Sequence, residues 1–154
     1  MNRQEGDDRF LLCRIGSCIG GLAVKDVRET MRPLPIEPLS GAPPFVLGLA
    51  IVRGSPTPVI DAGRLLGSSA SSPTRFISLK LEERAAVLAV DAVLDIRVLP
   101  KGILRETPPL LRDADQRLVS VIGALDAELL VVLEAARLVS DSLWSSIKLE
   151  KAPA

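Results

Sequence analysis

The chain has 154 residues, 47% of them apolar, and its 19 basic and 19 acidic side chains cancel. That length makes one domain, or two small subdomains sharing a core. A neutral chain with three Phe, one Trp and no Tyr lacks the basic surface and stacking rings of a nucleic-acid binder, and without histidine it lacks the usual general base and commonest metal ligand.

Residues 1–9, MNRQEGDDR, are polar, contain no signal-peptide core, and are expected to be flexible. No uncharged apolar run approaches the ~20 residues that span a bilayer, so direct membrane insertion is not expected. The expectation is a soluble cytoplasmic protein with reduced thiols.

Short apolar or alternating runs bounded by Gly, Pro and Ser then dominate, predicting a mainly β fold. Strands are predicted over 10–15, 20–24, 27–32, 46–53, 57–60, 75–80, 85–90, 93–99, 118–125 and 128–133. Cys13 and Cys18 match neither redox nor zinc spacing and read as small apolar residues within strands. The proline-rich stretch 33–45 is an extended surface connection, because proline removes ladder donors and fixes φ. Asp61 reads as the N-cap of a short helix over 62–66, with Gly67 beyond its end. The segment 67–73, GSSASSP, is a flexible link, 81–84 a hairpin tip and 105–117 a polar loop. Asp91 and Asp95 read as turn or solvated-edge residues. A longer helix is expected after Glu134, where Ala135, Leu138, Val139, Leu143 and Ile147 recur at helical spacing, with Trp144 as a core anchor beside them. The helix end and tail occupy 141–154.

The chain also repeats itself. Phe10 precedes LAVKDV (22–27) by the same distance at which Phe76 precedes LAVDAV (88–93), an offset of 66 residues. VIDAGRLL (59–66) has its counterpart in VLEAARLV (132–139), at an offset of 73. An internal duplication follows, with first-half elements over about 10–67 and second-half elements over about 75–140. Units that small must lean on each other, and the seam between them is where a partner settles.

In GLAIVRGSPTPVIDAGRLLG, residues 48–67, strand alternation sets Leu47, Leu49, Ile51 and Arg53 on one side and Val46, Gly48, Ala50 and Val52 on the other. Gly54 permits a turn with positive φ. Arg53 either reaches solvent from the strand end or stays partly buried, and a buried arginine requires a carboxylate. Glu29, sharing a strand face with Val27, is the candidate, and the expectation is that Arg53 faces inward towards it.

These residues resemble the signature of CheW-like chemotaxis adaptor domains: a glycine (Gly48), an apolar run, Arg53–Gly54, then Pro58, Val59, Ile60 and Asp61 before a short helix carrying Arg64 and Leu65. Val27 and Glu29 match the family's Val-x-Glu, Val90, Asp91 and Val93 its second-half Val-Asp-x-Val, and the likeness extends over about 10–140. Val121 stands where the second half of the family carries glycine, Ala62 follows Asp61, and Pro56 is additional.

The resemblance implies two SH3-like five-stranded β-barrel subdomains around a common core, with short helices including a C-terminal one. It implies an adaptor without cofactors, linking a chemoreceptor's cytoplasmic tip to the regulatory domain of a CheA-type histidine kinase. Val27, Glu29, Val52, Arg53 and Gly54 would form the partner surface, while Gly48, Pro58, Val59, Asp61, Val90, Asp91 and Val93 would maintain the motif. The alternative is an adaptor-like barrel that self-associates, or caps an array without touching receptors. An enzyme would have to work with carboxylates, arginines and two thiols alone.

Overall fold

The computed structural model describes residues 9–67, 72–99, 104–106, 119–139, 141, 144 and 145. All ten predicted runs form strands: β1 (Arg9–Ile15), β2 (Cys18–Ala23), β3 (Val27–Met31), β4 (Val46–Val52), β5 (Ser55–Asp61), β6 (Arg75–Leu81), β7 (Arg84–Val90), β8 (Ala92–Val98), β10 (Val119–Leu125) and β11 (Glu128–Leu133). An eleventh, β9 (Leu104–Glu106), occupies the start of the expected polar loop, and 107–117 lie outside the described residues. The same holds for 1–8 and for 68–71 of the expected link.

The strands form two sheets, in the orders β8-β1-β2-β11-β10-β9 and β3-β6-β7-β5-β4. Among the described residues neither closes on itself, so two open sheets stand where closed barrels were expected. The physical reason lies at the edges. Among the described residues, strands β3 and β4 share no backbone ladder, and a side-chain ion pair, Glu29–Arg53, spans the gap between β3 and the β4–β5 turn.

Each sheet draws strands from both parts of the sequence, and the two repeat each other. Strands β1 and β2 sit beside β8, β11 and β10 just as β6 and β7 sit beside β3, β5 and β4. Both sheets contain one parallel ladder, β2 with β11 and β7 with β5. Their irregularities also correspond: β3 slips against β6 between Val27 and Glu29, and β8 slips against β1 between Val93 and Asp95, 66 residues later. Likewise, β4 slips between Val46 and Gly48, and β10 between Val119 and Val121, 73 residues later.

The main core lies between the sheets, where Leu11, Cys13 and Leu22 meet Ile60, Ile77, Leu79 and Leu88. The opposite faces are also covered, by a cluster around Phe76, Val59 and Val87 and another around Leu12, Leu130 and Val132. Covering both faces explains why β7 is a nearly unbroken apolar run. Each fully buried Leu or Ile contributes about 1.5–3 kcal/mol relative to exposure.

Asp61 caps helix α1 (Ala62–Leu65), accepting from the backbone N–H of Gly63 at 3.0 Å and of Arg64 at 3.3 Å. The helix expected to run on from Glu134 begins instead as one 3₁₀ turn, Ala135–Arg137. Residues 141, 144 and 145 are helical, while Leu143 and Ile147 lie outside the described residues. Ala135, Leu138 and Val139 are buried as the stripe requires, and Trp144 packs against the core with Arg84 over its ring. Among the described residues, no helix is long and apolar enough to cross a membrane.

Candidate functional site

The repeat places β3 and β8 at corresponding edges of the two sheets. Between them opens a cleft of about 500 Å³ lined by Leu11, Val24, Val27, Thr30, Val93, Asp95 and Ile96. Val27 and Val93, at equivalent positions of the repeat, line it from opposite strands. Its lining is mostly apolar, with one carboxylate, Asp95. Such a surface binds by shape and burial, with a charge to set orientation.

Beside β3, Glu29 accepts a hydrogen bond from Arg53 Nε at 3.0 Å. Arg53 is not inward-facing, as the alternation had implied. Val46, Gly48, Ala50 and Val52 form the buried side of β4, whereas Ile51 is 62% exposed. The error lay in reading the apolar run as marking the core side when both sides of this strand are apolar. Arg53 itself belongs to the two-residue turn joining β4 to β5, with φ 52° followed by 81° at Gly54. Its side chain is 60% exposed and that of Glu29 36%. The pair therefore lies in solvent-accessible surroundings, and the Glu29 hydrogen bond pushes the Arg53 pKa further up. Hairpin turns of this kind favour Asn, Asp or Gly at the first position, so the arginine carries backbone strain there.

The sister sheet has its own version of this contact. Asp126 and Ala127 form the equivalent turn, with φ 51° and 69°. Arg97 on β8 lies 3.4 Å from Asp95, the counterpart of Glu29, and 3.8 Å from Asp126, the counterpart of Arg53. One arginine between two acids thus replaces the direct acid–arginine pair. Sequence reasoning missed Arg97 and Asp126, although the two repeat offsets point to Asp95 and Asp126.

Val52, expected at the partner surface, is a core residue packed near Val59 and Phe76 because it falls on the buried side of β4. Gly54 is exposed at the tip. Gly48 has φ 143°, and a Cβ there would lie 2.1 Å from the Glu37 carbonyl oxygen, which accepts from Leu49 N–H at 2.8 Å. The glycine lets the 33–45 connection approach β4. Pro58 and Val59 are buried in β5, and the proline is tolerated because the ladder with β7 begins only at Val59. Val90 is buried at the end of β7. Asp91 accepts from Gly16 N–H at 2.8 Å, tying the β1–β2 turn to the β7–β8 junction.

Two further features stand apart from the cleft. Arg14 grips Glu128 through both terminal guanidinium nitrogens, and that hydrogen bonding holds the Glu128 carboxyl below its ordinary range. Burial pushes the Cys13 thiol up to about 12, leaving it protonated and unreactive at neutral pH. Among the described residues, no group of three or more Cys, Asp or Glu is arranged to hold a metal ion.

The CheW-like domain family matches this chain over residues 9–143. The chemotaxis protein CheW of Rhizobium meliloti is 28% identical over 153 residues, covering 96% of this chain and 94% of the relative. The protein FrzA of Myxococcus xanthus is 32% identical over 123 residues, covering 77% and 76%. Among solved structures, the scaffolding protein TtCheW from Thermoanaerobacter tengcongensis shares the fold with a TM-score of 0.75 at 22% identity, over 89% of this chain and 95% of that one.

Proposed function

Since the chain belongs to the CheW-like domain family, we propose that it is a non-enzymatic adaptor coupling the cytoplasmic tip of a methyl-accepting chemoreceptor to the regulatory domain of a CheA-type histidine kinase. It acts in the cytoplasm, recruited to receptor arrays. In this reading each sheet serves as an SH3-like unit, and the seam between the units is the receptor site.

The observation that carries this reading is the cleft between β3 and β8. Its two strands present Val27 and Val93 from opposite sides, apolar walls that one apolar face of a helix can meet. Asp95 at the same site selects a cation on that helix. The Glu29–Arg53 pair links β3 to the β4–β5 hairpin tip at Arg53 and Gly54, and this contact fixes the orientation of a second protein. Open sheet ends and exposed turns are surfaces on which a kinase domain can dock without disturbing the cleft.

Isothermal titration against a receptor-tip coiled-coil peptide and, separately, against the kinase regulatory domain tests the proposal. Both bind the wild-type protein, and Val27→Glu abolishes receptor binding while sparing the kinase. Failure of the wild-type protein to bind either partner overturns the adaptor reading.

A further inference from the structure

Soluble proteins usually blunt their sheet edges with charge. Both equivalent edges here carry charges, Arg28 and Glu29 on β3 and Asp95 and Arg97 on β8, but they differ in what else they expose. Strand β3 presents Arg28, Glu29 and Thr30, with Arg53 reaching over to Glu29. Strand β8 instead exposes Leu94, Ile96 and Val98, at 44%, 55% and 61%. Among the described residues, no strand pairs with its outer side. Single exposed apolar side chains are ordinary, but three at alternate positions along a free edge mark an interaction site.

The sequence of β8, AVLDIRV, is complementary to its own reverse. Antiparallel pairing centred on Ile96 sets Ile96 against Ile96 and Asp95 against Arg97 twice, with Leu94, at the bulge, lying opposite Val98. Apolar pairs then share one face and opposite charges the other, the arrangement that stabilises antiparallel strands. Centring on Asp95 or on Arg97 would oppose like charges, so of these three registers the one on Ile96 suits both faces.

We infer that β8 is a homodimerisation edge, along which a second copy of this chain adds antiparallel and joins two six-stranded sheets into one. Arg97 already lies near Asp95 and Asp126 within each chain, so pairing exchanges ionic partners and strands no charge. Val93, Asp95 and Ile96 also line the cleft, so the dimer and a helix bound there compete for the same strand. That last consequence rests on the adaptor reading, whereas the dimer itself does not.

Sedimentation equilibrium of the protein alone provides the test. The wild-type chain shows a concentration-dependent monomer–dimer equilibrium. Asp95→Arg and Arg97→Asp each weaken it by about tenfold or more, since each opposes like charges. Mixing the two variants restores association as a heterodimer, which also shows that both are folded. A wild-type chain that stays monomeric at its solubility limit overturns the inference, as does a dimer indifferent to both single variants. Neither result depends on whether receptor or kinase binds.

Discussion

Arg53 Nε meets the Glu29 carboxylate at 3.0 Å, joining the turn at one edge of the five-stranded sheet to the strand at its other edge. Among the described residues no backbone ladder closes that gap, and this side-chain contact spans it. The strained φ of Arg53 is tolerated at a position where asparagine or glycine would sit more easily. The arginine is held by what its side chain does.

Charge reversal isolates that role. Arg53→Glu opposes two carboxylates and weakens kinase or receptor coupling by about tenfold or more. Adding Glu29→Arg recovers part of the loss, because the ion pair is re-formed with its ends exchanged. Titration of the single and double variants measures both effects, and no recovery in the double variant overturns the functional role of the contact.

Gly48→Ala tests the close approach of the 33–45 connection to β4. A Cβ at φ 143° and 2.1 Å from the Glu37 oxygen must displace backbone. The expected loss is about 2–3 kcal/mol, combining backbone strain with overpacking. Urea unfolding of the variant measures it.

Asp61→Ala removes the acceptor of two helix-start N–H groups at a residue only 1% exposed. The variant is destabilised by about 1–2 kcal/mol. Asp61→Asn retains an acceptor and loses less. Thermal melts of the two variants side by side separate the cap's geometry from its charge.

The buried thiol of Cys13 produces a pH dependence of known sign. Its folded pKa, about 12, lies above the value of about 8.5 for an unfolded cysteine. Below the unfolded value both states hold the proton, and stability is unaffected. Between the two values only the unfolded chain ionises, so stability falls by up to about 1.4 kcal/mol per pH unit. Denaturant unfolding from pH 8 to 10 detects the loss, and Cys13→Ala reduces the slope. Half-buried Cys18 reacts first with a thiol reagent in the native protein.

Much of the fold was legible because its signals are local. Alternation and turn residues placed ten strands, and the Asp61 cap follows from a carboxylate beside free N–H groups. The repeat offsets of 66 and 73 reappear in strand order and in the bulges, since an element's irregularities are set by its own residues. Strand β9 escaped because three residues carry too little periodicity to register. The 3₁₀ turn at Ala135–Arg137 escaped because apolar spacing over one turn does not distinguish it from α-helix.

The side on which Arg53 and Val52 fall could not be read locally. Strand alternation assigns two sides but cannot say which is inside when both are apolar, and in β4 the outer side carries Leu47, Leu49 and Ile51. The sequence by itself determined the strands, the cap, the repeat and the family signature. Only the tertiary structure decided that strands from both halves share each sheet, that β3 and β8 face each other across the cleft, and that Glu29 reaches Arg53 on the outside. Those facts depend on contacts between residues far apart along the chain, whose pairing is chosen by which faces the whole molecule can bury together.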